Sequence, residues 1–212
     1  MSILRFDANA LVAQLERLPN RLRVAFAAAC AERQLPNYFR FSEATGLGNP
    51  ERLVSALRYL WEDIEGRPVG SIELKDCLDT CMSLLPEEDV GDLCGLGCYA
   101  EDAVAAVAYA IEARLKSDAH EAVESARVAY AALDEYVSAI LNFRSIGQNE
   151  EVRIVAHPLV QAEFERQRTD LLRLQEIVKN PAGERECIAE LHRRAQADAK
   201  IFFGPTPNWH VG

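Results

Sequence analysis

Five polar residues at predicted helix starts have the side-chain chemistry to bind a small ligand. They are Asn37 and Tyr38 in one segment, and Tyr99, Glu101 and Asp102 in another. Amide, hydroxyl and carboxylate groups of this kind converge on ligands in pockets that are otherwise apolar. One hypothesis is therefore a small-ligand-binding or enzymatic helical protein with a pocket near Tyr38 and Asp102. The alternative is that Asn37 and Asp102 satisfy helix ends while the tyrosines pack.

No catalytic constellation accompanies these residues. The stretch Gly95-Leu96-Gly97-Cys98-Tyr99-Ala100 matches a dinucleotide-binding fingerprint by letter. That fingerprint requires a preceding β-strand, which the acidic segment before Gly95 does not provide. His120 and Glu124 are spaced to share a metal ion, but a solvated pair in a first helical turn is the simpler interpretation. We therefore predict no catalytic residue, no metal site and no cofactor.

Four cysteines form the most specific local pattern, Cys77-x3-Cys81 and Cys94-x3-Cys98. This spacing resembles the twin C-x3-C hairpin of the small mitochondrial Tim chaperones, a resemblance that implies disulfides between two helices. Four such thiolates could also hold zinc. The neighbours of Cys77 and Cys81, among them Leu74 and Leu78, favour a third interpretation, in which they are small buried core residues with free thiols.

The charge of the chain limits its partners. The 212 residues carry a formal net charge of -10, which argues against a nucleic-acid-binding surface. An acidic surface would instead attract a basic protein. No run of about 18 apolar residues could span a membrane, and the N-terminus has no signal-peptide pattern. We expect a cytoplasmic protein with reduced thiols.

Apolar residues recur at spacings of three and four along the chain, whereas period-two alternation is nearly absent. The most regular example is the stripe that contains Leu53, Leu57, Leu60 and Trp61. The pattern predicts an all-α single-domain bundle of about seven to nine helices over residues 1–200, followed by an extended C-terminal tail at 201–212. The polar segment between Phe143 and Val155 is the main interruption.

Several short motifs, in a fixed order, resemble a bacterial family. They are Leu15-Glu16-Arg17-Leu18, Ala28-x-Cys30-x-Glu32-Arg33, Pro36-Asn37-Tyr38, Phe41, Thr45-Gly46-x-Gly48, Trp61, Asp102-Ala103, Pro158-Leu159-Val160 and Glu163-Phe164. Together they resemble the YjaG-like family, which is a domain of unknown function, from about residue 11 to 178. The resemblance implies a compact all-α fold, and it brings no established activity or catalytic residues.

The sequence thus favours a non-enzymatic protein-interaction module. One concrete version is an acidic immunity or inhibitor protein that masks a basic toxin, because complementary charge speeds such association. A homodimer is a further alternative, since apolar residues in the segment Leu171-Leu172-Leu174 could pair helices of two copies.

Overall fold

A computed structural model describes residues 3–87, 95–143 and 146–200. Within these ranges the secondary structure is helical and contains no strand, so the all-α prediction is confirmed. The α-helices are α1 (Ala8–Leu15), α2 (Asn20–Glu32), α3 (Leu35–Thr45), α4 (Pro50–Ile64), α5 (Ser71–Met82), α6 (Gly97–Lys116), α7 (Ala119–Ile140), α8 (Gln148–Val155), α9 (Pro158–Lys179) and α10 (Glu184–Ala199). A short 3-10 helix, Pro181–Gly183, precedes α10. The tail at 201–212 and Cys94 lie outside the described residues.

Helices α2, α6 and α7 form the centre of the molecule. In α2 every residue from Val24 to Ala31 is buried, so this helix is surrounded on all sides. Five of those eight residues are alanine, and α6 and α7 also bury many alanines. Small side chains at the contacts allow helix axes to approach closely. The central helices thus pack backbone against backbone, while α3, α4, α9 and α10 bury larger side chains against them.

The corner between α3 and α4 forms as its residues predict. Gly46 ends α3 in the left-handed region at φ 72°, and Asn49 caps α4 by accepting a hydrogen bond from the Arg52 N–H. Pro50 then occupies the first turn of α4, where its missing N–H costs nothing. The corner is therefore explained by helix capping rather than by ligand chemistry.

The interruption after Phe143 contains a helix that apolar periodicity did not reveal. The Gly147 N–H donates to the Glu150 carboxylate at 3.1 Å, which closes the first turn of α8. Ile154 and Val155 are buried with Leu133, Val137 and Phe164 in a second, smaller core. Only the last two residues of α8 reach this core, so the helix is too short to give an apolar stripe.

The segment predicted to expose leucines does so at one position only. Leu171 and Leu174 of α9 are in the main core, whereas Leu172 is 50% exposed. Neighbouring residues of an α-helix point about 100° apart, so Leu172 faces away from the core that Leu171 contacts. None of the described helices combines the length and apolar character needed to cross a membrane.

Candidate functional site

The residues Asn37 and Tyr38 lie on the buried side of α3. The Tyr38 hydroxyl donates a 2.9 Å hydrogen bond to the Leu84 carbonyl, and burial raises the pKa of this phenol. Asn37 donates through Nδ2 to the side-chain oxygen of Gln34 at 3.0 Å. Both side chains thus have structural partners: Tyr38 packs as the alternative interpretation expected, whereas Asn37 bonds another side chain rather than a backbone group of the helix end.

Tyr38 also lines a cavity of about 250 Å³ beside the α3–α4 corner. Phe41, Leu84 and Leu85 supply most of the other apolar wall, and Gly48 lies directly against the Tyr38 hydroxyl. Asp102 is not among the residues that line this cavity. The Tyr38 cavity is therefore a separate feature, and the shared pocket of Tyr38 and Asp102 stays a prediction.

The other three predicted residues lie near the start of α6, where Tyr99 and Asp102 are close to Glu135 of α7. Asp102 is partly buried, and Glu101 and Glu135 are exposed beside it. Burial is the main cause that raises the pKa of Asp102 to about 7, and the nearby Glu135 is the second. Arg127 partly counters this rise. Burial also raises the pKa of the Tyr99 phenol and, together with Glu135, that of the Cys98 thiol to about 12. We call Glu101, Asp102 and Glu135 the acidic α6–α7 face.

A buried ion network, which sequence analysis did not identify, connects α2 with α9 and α10. Arg33 is 1% exposed and Glu163 is 0% exposed. Arg33 donates to both Glu163 oxygens, at 2.8 and 3.0 Å, and to Asp170 at 3.1 Å. Arg194 of α10 approaches the other Asp170 oxygen at 2.7 Å. Two arginines thus share two buried carboxylates.

The network has few unsatisfied charges. Burial acts to lower the pKa of Arg33, but Glu163, Cys30 and Asp170 more than offset it, so the pKa of Arg33 is raised and the guanidinium stays charged. Gln167 donates to Glu163 at 2.9 Å, which uses a further lone pair of this carboxylate. Cys30 lies 3.4 Å from Arg33, and burial raises the pKa of its thiol. These groups hold three helices together, and burial raises the pKa of Asp170 although Arg33 and Arg194 counter it.

A weak signal for the network does exist in the sequence. Glu163, Gln167 and Asp170 are spaced by four and three, which places them on one face of α9. That spacing shows that the three side chains share a face but not that the face is buried, so the signal is a weak one. Arg33 and Glu163 also belong to the motifs that carry the family resemblance.

A second group of titratable side chains joins α10 to α4. The His192 ring stacks on Trp61, with ring centres 4.1 Å apart, and its Nδ1 lies 3.1 Å from Glu65. The Trp61 indole donates to Glu32 at 3.0 Å. Burial raises the pKa of Glu32, and His192 and the Trp61 hydrogen bond partly counter this. The arrangement positions α10 against the core.

Among the described cysteines all thiols are free, and Cys77 and Cys81 are buried on α5 beside Leu74. The prediction of core thiols is thus confirmed for this pair, while Cys94 lies outside the described residues. Within the described part of the chain, no three His, Cys, Asp or Glu side chains are grouped so as to hold a metal ion.

The fold and these sites define an acidic all-α protein stabilised by a buried arginine–carboxylate network. The family model "Protein of unknown function (DUF416)" matches residues 10–200, so the chain belongs to this family. It is 27% identical over 159 residues to the uncharacterized protein YjaG of Escherichia coli K12, covering 74% of this chain and 78% of that protein. These matches confirm the resemblance inferred from the motifs.

The fold also has a solved relative. The crystal structure of a DUF416 family protein from Shewanella baltica OS155 is similar with a TM-score of 0.75. The match covers 87% of this chain and 92% of that one, at 24% sequence identity. This likeness concerns the fold alone.

Proposed function

We propose that the protein is a cytoplasmic, non-enzymatic interaction module that binds a basic protein partner through the acidic α6–α7 face. The grouping of the partly buried Asp102 with the exposed Glu101 and Glu135 is the observation that carries this proposal. Burial and the neighbouring Glu135 both oppose ionisation of Asp102, so the free protein keeps this carboxylate in an unfavourable state. A lysine or arginine from a partner would relieve both effects.

The surroundings of this face support the same proposal. Glu101 and Glu135 are exposed and continue the negative surface beyond Asp102. Arg127, the cation that partly counters the pKa shift of Asp102, is engaged with Glu124 at 2.6 Å. With a net charge of -10 on the whole chain, long-range attraction would bring a basic partner to the surface quickly. An immunity or inhibitor protein for a basic toxin is one specific form of this role.

Co-purification from native lysate tests the proposal. The wild type is compared with the variant Glu101→Gln/Asp102→Asn/Glu135→Gln and with a control that removes the same charge elsewhere, Glu43→Gln/Asp79→Asn/Glu176→Gln. We expect a stoichiometric basic protein with the wild type and the control, and at least about a tenfold loss of affinity with the α6–α7 variant. Association of the purified pair should slow as NaCl increases.

Two results would contradict the proposal. One is the absence of any stoichiometric partner together with a gene that has no toxin neighbour. The other is a partner that the two triple variants bind equally well, because this face would then have no special role.

A second proposal, small-ligand binding, rests on the Tyr38 cavity. Its volume of about 250 Å³ and its aromatic wall suit one small apolar molecule. Soaking crystals with xenon or benzene should give density beside Tyr38 and Phe41. A cavity that excludes both probes would remove this proposal.

A homodimer is the remaining alternative. Leu172 and Val178 are exposed on α9, at 50% and 43%. If their face pairs two copies, size-exclusion chromatography with light scattering will give twice the mass of one chain, and Leu172→Asp will restore the monomer. A wild type that is monomeric at all concentrations would exclude it.

A further inference from the structure

An apolar groove runs between the N-terminal segment with α1 on one side and α9 on the other. Its volume is about 220 Å³, and its wall includes Leu4, Phe6, Leu11, Phe164 and Leu171. For comparison, an apolar cavity of about 150 Å³ in a protein core binds benzene. The N-terminal groove can therefore hold one small ring or a short alkyl chain.

Two arginines lie at the edge of the N-terminal groove. Arg5 and Arg168 both line it and are both exposed. Within the described residues Arg168 has one loose surface pair, with Glu165 at 3.6 Å, and such pairs contribute little. Asp7 also lines the groove, and its carboxylate caps α1 by accepting from the Ala10 N–H. The edge of the groove therefore carries two guanidinium groups beside two carboxylates, and both carboxylates already have a partner.

Hydrogen bonds hold both walls of the groove in place. Gln161 of α9 accepts from the Leu4 N–H and donates to the Leu4 carbonyl, each at 2.9 Å. On the other side, the buried Gln167 donates to the Ala126 carbonyl at 3.1 Å and to Glu163 of the buried ion network. Because both walls are already ordered, a ligand would not have to order them on binding.

We propose that the N-terminal groove is a binding site for a small amphipathic carboxylate. The ring or chain of such a molecule packs on Phe164 and Leu171, and its carboxylate pairs with Arg5 and Arg168. Guanidinium groups suit this task because they bind carboxylates through two parallel hydrogen bonds. The residues that line the groove include none of the acidic α6–α7 face, so the two proposals are tested with different variants.

NMR titration of the full 15N-labelled chain tests the site with two probes of the same shape, 3-phenylpropionate and 3-phenylpropylamine. We expect the carboxylate to shift the amide signals of residues 4–14 and 164–171 with a Kd of about 0.1–1 mM. The amine should bind at least about tenfold more weakly, because its ammonium is repelled by Arg5 and Arg168, while Asp7 already caps α1.

Matched variants locate the interaction. Arg5→Gln and Arg168→Gln should each weaken 3-phenylpropionate binding about fivefold or more, while Arg173→Gln, an exposed arginine of α9 outside the groove, should not change it. Ala10→Trp should fill the groove and abolish binding. No shift with about 10 mM carboxylate, equal binding of the amine, or equal effects of Arg168→Gln and Arg173→Gln would each overturn the proposal.

Discussion

The fold raises the pKa of Asp102, and this shift affects the stability of the protein. Its folded-state pKa of about 7 is well above the ordinary 3.8, so the folded protein holds this proton more tightly than the unfolded chain does. Its stabilising contribution is therefore complete below about pH 4 and is lost as the pH rises toward 7. The acidic α6–α7 face thus lowers the stability of the free protein at neutral pH.

Replacing Asp102 by asparagine should consequently stabilise the protein at pH 8 by about 1–2 kcal/mol, after allowance for solvent screening of this partly exposed carboxyl. The gain should shrink as the pH falls and vanish near pH 4. Urea unfolding of both proteins across this range measures the effect. Glu176→Gln, an exposed change on α9, serves as the control. A pH-independent difference would show that the carboxyl of Asp102 is not perturbed.

Arg33 is the residue whose loss should be most costly. Arg33→Met would leave Glu163 with the more distant Arg166, at 4.0 Å, and Asp170 with Arg194. Breaking a buried ion pair on one side costs about 3–5 kcal/mol, because the remaining charge is buried and uncompensated. Urea unfolding should show this loss, while Arg193→Met, at an exposed ion pair, should cost less than about 1 kcal/mol.

A compensating variant separates charge from packing. Adding Glu163→Gln to Arg33→Met removes the buried carboxylate that has lost its main partner, while Asp170 keeps Arg194. This double variant should recover about half of the lost stability or more. If it is as unstable as Arg33→Met alone, then the lost contacts of the long side chain, rather than charge, cause the destabilisation.

At the scale of the element, the corner between α3 and α4 contains two glycines with different constraints. Both have positive φ, 72° at Gly46 and 76° at Gly48. A Cβ added at Gly46 would meet open space, whereas one at Gly48 would lie 2.6 Å from the Tyr38 hydroxyl oxygen. A side chain would therefore cause backbone strain at both glycines, but a steric clash with Tyr38 only at Gly48.

Gly46→Ala should cost about 1 kcal/mol, the ordinary penalty for the left-handed region. Gly48→Ala should cost clearly more, about 2–4 kcal/mol, because Tyr38 must also move and lose its bond to the Leu84 carbonyl. Thermal unfolding of the two variants makes the comparison. Adding Tyr38→Phe should reduce the cost at Gly48 but not at Gly46, and equal costs at both glycines would show that the clash is absorbed.

At the scale of the whole molecule, the sequence predicted those features of the fold that depend on residues close together in the chain. The α3–α4 corner follows from Gly46, Asn49 and Pro50, and the α4 stripe follows from apolar spacing, so both could be read directly. The Arg33–Glu163 contact joins residues 130 positions apart, and no local pattern pairs them. Tyr38 and Asp102 show the converse limit, since helix-start chemistry selected both residues but could not say that Tyr38 lines a cavity to which Asp102 does not contribute.

Net charge is the remaining property that belongs to the whole molecule. At -10 the folded chain repels itself, and a compact state suffers from this more than an expanded one. Raising NaCl from about 0.02 M to about 0.3 M shortens the range of this repulsion to a few ångströms. We therefore expect the urea concentration at the unfolding midpoint to rise with NaCl. The rise should be smaller in the variant Glu43→Gln/Asp79→Asn/Glu176→Gln, because three of the repelling charges are gone. A midpoint that falls instead would mean that the exposed ion pairs, such as Lys116–Glu121 at 2.7 Å, contribute more to stability than the net repulsion removes.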